Sequence, residues 1–288
     1  MTKSPVQLKA AIRNYLKTGD SDPAFRGWPG SNFLEVAQKG SAMLCNALVA
    51  EVASRTRSQG VASALVEKDV TAMTRNKIRP MVTGLFSAAE QPAVLAMLER
   101  SVIFLHPGNI EHVLRSAAWP STAWSLANLY LVSLDCERLS GEAPNIVGLS
   151  EETTCYVSPA YFNSQDAFAD YVVHEAAHVF HNCRRGTVGF TETRSRKYLL
   201  DIDYRKRETF AYACEAYSCI VARGGTAAAR GASLAAHSDG DLPGDDSVDL
   251  DEYLDILDEA VNARNGWKRI LQRCAPRPSK PTAQPHAE

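Results

Sequence analysis

The sequence predicts a mostly helical α+β fold, and three observations carry that expectation. Apolar residues recur at helical spacing over most of the 288 positions. Only short apolar runs, near residues 101–106, 145–148 and 153–158, have strand character. Between these runs and the C-terminus lies Ala-Asp-Tyr-Val-Val-His-Glu-Ala-Ala-His-Val-Phe-His, residues 169–181, whose Tyr171, Val172, Val173, Val179 and Phe180 make a helix apolar nearly all round. Such a helix is a buried one.

Hydrophobic residues make up 45% of the chain and charged residues 22%, enough for one large core or two small ones. The net charge of −2 gives no argument for a nucleic-acid or anionic-membrane partner. No apolar run has the length of a membrane span, and the first residues lack the apolar centre of a secretory signal. A cytoplasmic location is therefore expected, with non-classical secretion left open. The seven cysteines, at 45, 136, 155, 183, 214, 219 and 274, are odd in number and contain no Cys-x-x-Cys. They read as buried thiols of a reducing compartment.

Taken in order, residues 5–18 form an amphipathic helix with Leu8, Ala11, Ile12, Tyr15 and Leu16 on its apolar stripe, ended by Gly19. Residues 21–31 hold two prolines and two glycines and form a loop anchored by Phe25 and Trp28. Helix is expected over 32–58, again over 62–73, and over about 90–100, with Pro80 breaking the pattern between the last two. Residues 101–106 form a buried strand closed by Pro107-Gly108, where His106 is a turn histidine. Residues 119–139 form a buried helix, and 145–148 and 153–158 form two strands. Asn163 or Ser164 caps the central helix, with Asp166 in its first turn. Residues 181–204 carry five arginines and lysines and form a basic connection, either a wall of a cleft or a solvated surface. Residues 231–246 form a mobile acidic loop, 249–274 a closing amphipathic helix, and 275–288 a disordered proline-rich tail.

Chemistry concentrates in the central helix. His174 and His178 lie four apart, on one face of a helix, so each can give a ring nitrogen to one metal ion. Glu175 sits about 100° round the helix, where it reaches a water rather than the metal. Zinc needs a third protein ligand to leave one position open. The best donors lie on a second apolar helix, where Glu208, thirty positions after His178, and Glu215 stand seven apart on the same face. His181 shares the ligand face one turn on. It reads as a group behind the ligands, a substrate contact or a cationic cap of the helix C-terminus.

With these residues in view, the chain resembles the zincin metallopeptidases of the Glu-zincin branch over about residues 150–220. Glu208-Thr-Phe-Ala211 is similar to the corresponding stretch of anthrax lethal factor-like peptidases. The resemblance implies a zincin-like core with a small sheet and an active-site helix. In it, His174, His178 and Glu208 hold Zn2+ and Glu175 is the general base of peptide hydrolysis on a protein or peptide substrate. It further implies a substrate-pairing edge strand, here Thr154 to Val157, and an oxyanion-stabilising Tyr or His near the third ligand. Tyr198 and Tyr204 rank level for that role, with Tyr212 one turn beyond Glu208. Asp201 and Asp203 are candidates to orient a ligand histidine. A helical N-terminal region over 1–90, a metallopeptidase domain over 91–274 and the tail make up the expected organisation. Two other functions stay open. One is a zinc-binding regulatory protein without turnover, against which the intact Glu175 argues. The other is a nucleic-acid-associated protease, since His-Glu-Ala-Ala-His also resembles the SprT-like motif, although no third histidine is suitably spaced.

Overall fold

The computed structural model describes residues 2–57, 70–143, 146, 148–151, 153–158, 166–194 and 196–276. Eleven α-helices and three β-strands lie among them. The chain forms two compact units. Unit 1 comprises residues 1–74 and 100–165, and unit 2 residues 75–99 and 166–288. The chain thus passes between units within α3 (Val70–Leu85), near the end of α4 (Gln91–Ser101), and at 165/166. Residue 90 lies inside unit 2, between those two helices.

Unit 1 is built on α1 (Pro5–Thr18), α2 (Phe33–Arg55), α5 (Ile110–Ser116), α6 (Pro120–Ser133) and the small sheet. Ser4 and Gln7 form a capping box at the start of α1, and Gly19 ends it in the left-handed conformation at φ 78°. Leu44, Leu48 and Val52 of α2 pack with Leu126, Leu129, Tyr130 and Leu131 of α6 in a core that also takes Phe25 and Trp28. The loop anchors are therefore as expected. The buried Asn128 is satisfied locally. Asn128 donates to the Trp124 carbonyl at 2.9 Å and accepts from the Leu139 amide at 2.8 Å.

The sheet has the order β1-β3-β2, with β1 Val102–Phe104, β2 Gly148–Glu151 and β3 Thr154–Val157. β3 pairs in parallel with β1, Val102 opposite Cys155, and antiparallel with β2, Ser150 opposite Cys155. This corrects one expectation. Thr154–Val157 is the central strand, its backbone paired on both sides, so it is not an open edge for substrate. Its residues belong to unit 1, while the histidine helix belongs to unit 2.

Unit 2 is organised around α8 (Arg207–Arg223), which packs against α7 (Tyr171–Asn182), α9 (Ala227–Ser238), α10 (Leu250–Asn262) and α11 (Gly266–Cys274). Helix α3 runs unbroken through Pro80. Proline removes one backbone donor, a cost of about 3 kcal/mol in a helix interior. The buried apolar stripe Ile78, Met81, Val82 and Leu85 offsets it, with Ile78, Met81 and Val82 fully inaccessible. Residues 231–238 of the expected loop belong instead to α9, because an alanine-rich run is capped by Thr226, which accepts from the Ala229 amide. The closing helix is two helices. Asn265 caps the second, and Gly266 lies so close to Tyr217 that a Cβ would meet its hydroxyl at 2.3 Å. The expected tail, and the 62–69 part of the expected second N-terminal helix, lie outside the described residues. Among the described residues, no helix is long and apolar enough to cross a membrane.

Candidate metal centre

Helix α7 is fixed at its N-cap. Asp170 caps it, accepting from the Val173 amide, and the same carboxylate receives the Lys77 ammonium of α3 at 2.7 Å. The expected caps Asn163 and Ser164 lie outside the described residues, and Asp170 holds that position instead. Val172, Val173, Ala176, Ala177, Val179 and Phe180 are all fully buried, and Phe180 meets Phe86 edge-on at 5.1 Å. Burying that face obliges the helix to carry its polar residues into the interior as well. Glu175, His178 and His181 are each less than a tenth exposed.

Helix α8 crosses α7 and brings Glu208 in its first turn to the two histidines, where the positive end of the helix dipole favours a carboxylate. His174 Nε2 and His178 Nε2 are 3.2 Å apart. Glu208 Oε2 lies 3.3 Å from the Nε2 of His178 and 3.7 Å from that of His174. Three donors on a tetrahedral ion with bonds of about 2.0–2.1 Å sit about 3.3 Å from each other. Two imidazoles and a carboxylate at 3.2, 3.3 and 3.7 Å are thus a donor set that could hold a tetrahedral metal ion. His174, His178 and Glu208 are a group that could hold a metal ion, and no other such group of three occurs among the described residues. The Glu208 side chain is 37% exposed, so the group is reached from solvent on the Glu208 side.

Behind these three residues the two histidines are backed differently. Glu215 Oε2 lies 3.0 Å from His174 Nδ1, and its other oxygen accepts from the Asp170 amide at 2.7 Å. Glu215 thus ties the histidine ring to the N-cap of its own helix and is not one of the three converging donors. His178 Nδ1 instead faces His181 Nε2 at 3.1 Å, and His181 Nδ1 faces Asn182 Oδ1 at 3.0 Å. Asp201 and Asp203 do not orient either ligand. Asp203 caps the short turn Tyr204–Lys206, and Asp201 is exposed.

The electrostatics follow from this packing. For His174, burial opposes the charged form. Hydrogen bonds to Glu208 and Glu215 outweigh it and raise the pKa to about 10. Burial likewise works against the Glu208 carboxylate, but the two imidazoles hold its pKa well below the usual range. Glu175 is pushed up, first by burial and also by Glu208 and Glu215, with His174 and His178 acting the other way. His181 is lowered to about 3 by burial, with His178 and Arg207 adding to it. Its burial therefore favours the neutral imidazole over a cationic helix cap.

The expected tyrosines Tyr198 and Tyr204 are both exposed. Tyr204 is 77% exposed and lies under the Arg207 guanidinium at 4.8 Å. Tyr198 is exposed and bridges through its backbone to Arg184. Tyr212 is the tyrosine against the site, its ring 4.5 Å from that of His174 and nearly perpendicular to it. Its pKa is raised to about 12 by burial and by the surrounding carboxylates, Glu215 foremost. Its place four residues after Glu208 was the signal in the sequence. The basic connection is mixed in character. Arg184, Arg194, Arg196 and Lys197 are exposed, while Arg185 is buried and pairs with Glu90 at 2.6 Å.

In comparisons with known proteins, no family model, no curated protein and no solved structure matches the chain.

Proposed function

We propose that the protein is a zinc-dependent metallopeptidase of the Glu-zincin type, acting on a protein or peptide substrate. The observation that carries this reading is the convergence of His174, His178 and Glu208, beside a buried Glu175 whose pKa is raised. His174, His178 and Glu208 would hold the zinc, which when bound would supply a Lewis acid for the carbonyl and the attacking water. Glu175 takes the proton of the attacking water and delivers it to the leaving amine. A carboxylate with a raised pKa suits both halves of that transfer. Glu215 and His181 hold the two histidines with Nε2 toward the shared point. Tyr212, packed on His174, is the tyrosine proposed to face the reacting carbonyl.

The test is a peptide-library digestion by the zinc-loaded protein beside Glu175→Ala. Cleavage by the wild type that is lost in a folded, zinc-containing Glu175→Ala supports the reading. Equal cleavage by both proteins overturns it.

A further inference from the structure

We infer that His181 and Asn182 form a neutral hydrogen-bonded chain that positions His178 for the metal, and that the direction of the Asn182 side-chain amide sets whether His178 can bind it. This rests on the reading of His174, His178 and Glu208 as metal ligands.

The argument starts at the last turn of α7. Asn182 presents its side-chain oxygen, Oδ1, to His181 Nδ1 at 3.0 Å. A carbonyl oxygen only accepts, so His181 Nδ1 carries the hydrogen. A neutral imidazole with its hydrogen on Nδ1 has a lone pair on Nε2. That lone pair faces His178 Nδ1 at 3.1 Å, so His178 Nδ1 in turn carries a hydrogen. His178 Nε2 is left with its lone pair, 3.3 Å from Glu208 Oε2 and 3.2 Å from His174 Nε2. For a neutral His181, each link follows from the one before it.

Turning the Asn182 amide over reverses every link. Its NH2 would donate to His181 Nδ1, His181 Nε2–H would donate to His178 Nδ1, and the hydrogen of His178 would move to Nε2. That tautomer cannot bind a metal through Nε2. The side-chain amide of Asn182, a residue outside the three converging donors, therefore selects between a metal-competent and a metal-blocked arrangement. His174 has no such dependence, because the Glu215 carboxylate can only accept from its Nδ1. The two ligands are thus held by partners of opposite kind. An anion oriented by a backbone amide backs His174, and a neutral ring oriented by an amide side chain backs His178.

The experiment separates this role from simple filling of space. Zinc affinity would be measured by chelator competition on full-length wild type, His181→Gln, His181→Phe, Asn182→Asp and Asn182→Leu. Far-UV circular dichroism would check folding, and the Co2+-substituted proteins would supply a visible spectrum. His181→Phe keeps the volume and loses the acceptor, so zinc should bind about 10–100-fold more weakly, with a shifted cobalt spectrum. His181→Gln loses volume but offers an oxygen to His178 Nδ1–H, and its affinity should stay within about threefold of wild type. A purely structural role predicts the reverse ranking. Asn182→Asp fixes an acceptor and should bind at least as tightly as wild type, whereas Asn182→Leu should weaken binding about threefold or more. If His181→Phe does not fold, the Asn182 pair decides alone. Wild-type affinity and an unchanged cobalt spectrum in both His181→Phe and Asn182→Leu, or in folded Asn182→Leu alone, would overturn the inference. A wild type that binds no zinc would instead overturn the metal reading on which it stands.

Discussion

The two compact units bury polar groups of different kinds. Among the described residues of unit 1, the buried polar side chains are Thr74, Ser101, Asn128 and Ser158, all neutral. In unit 2 they include Asp170, Glu175, His178, His181, Arg185, Glu215 and His237. A buried ionisable group costs several kcal/mol unless it is paired. Unit 1 avoids that cost and holds its shape by apolar packing between α2 and α6. Unit 2 accepts it where α7 meets α8, and there the charges and imidazoles interlock: Lys77 with Asp170, the Asp170 amide with Glu215, Glu215 with His174, and the two histidines with Glu208. A fold needs only the first kind of interior, so the concentration of the second kind marks where chemistry is expected.

The contrast can be broken most severely at Glu175. Replacing it with Ala should lower peptide hydrolysis about 10²–10⁴-fold while leaving zinc content at the wild-type level, read by steady-state kinetics beside metal analysis. In unit 1, Leu48→Ala empties a fully buried position. It should cost about 2–5 kcal/mol in denaturant unfolding and leave the zinc affinity of the folded protein unchanged. A parallel loss of zinc affinity would show that the two interiors are not separable in function.

Glu215→Gln tests the anionic backing. It should weaken zinc binding about 10–100-fold by chelator competition, because His174 loses its charged acceptor. The pH dependence sharpens the same point. In metal-free protein the His174 pKa of about 10 lies above its ordinary 6.5. The ion pair with Glu208 and Glu215 therefore stabilises the fold fully below pH 6.5, and this contribution is lost as pH rises through about 10. The metal-free protein should accordingly melt at lower temperature toward pH 10. Zinc must displace that proton, so through this group its apparent affinity should rise about tenfold per pH unit on the acid side of that pKa. The smallest effect belongs to Tyr204→Phe. That side chain lies exposed over Arg207, and turnover should stay within about twofold, whereas Tyr212→Phe should slow it.

Much of this site was legible because local pattern and chemistry coincide. An i,i+4 pair of histidines in an apolar helix has few purposes, and two carboxylates seven apart on a second apolar helix supply its partners. The division of labour between Glu208 and Glu215 was not legible. Both share one face, and only the crossing of α7 and α8 decides which carboxylate meets Nε2 and which meets Nδ1. Nor could spacing assign the tyrosine, since Tyr198 and Tyr204 precede Glu208 in irregular chain whose path is set by tertiary contacts. The sheet misled for a similar reason. The run at 154–157 is visibly a strand, but its position between β1 and β2 depends on pairing with residues fifty positions away. Helix propensity was underweighted in the alanine-rich α9, and the caps at Asp170 and Asn265 place helix starts that periodicity alone blurred.

The measurement that bears most directly on the metal centre is zinc per chain, by mass spectrometry of purified wild type, His178→Ala and Glu208→Ala, each checked for folding. One zinc in the wild type and its loss or strong weakening in both variants is the predicted result. A folded wild type that takes up no zinc on reloading, or a Glu208→Ala that retains it at full affinity, would contradict the account.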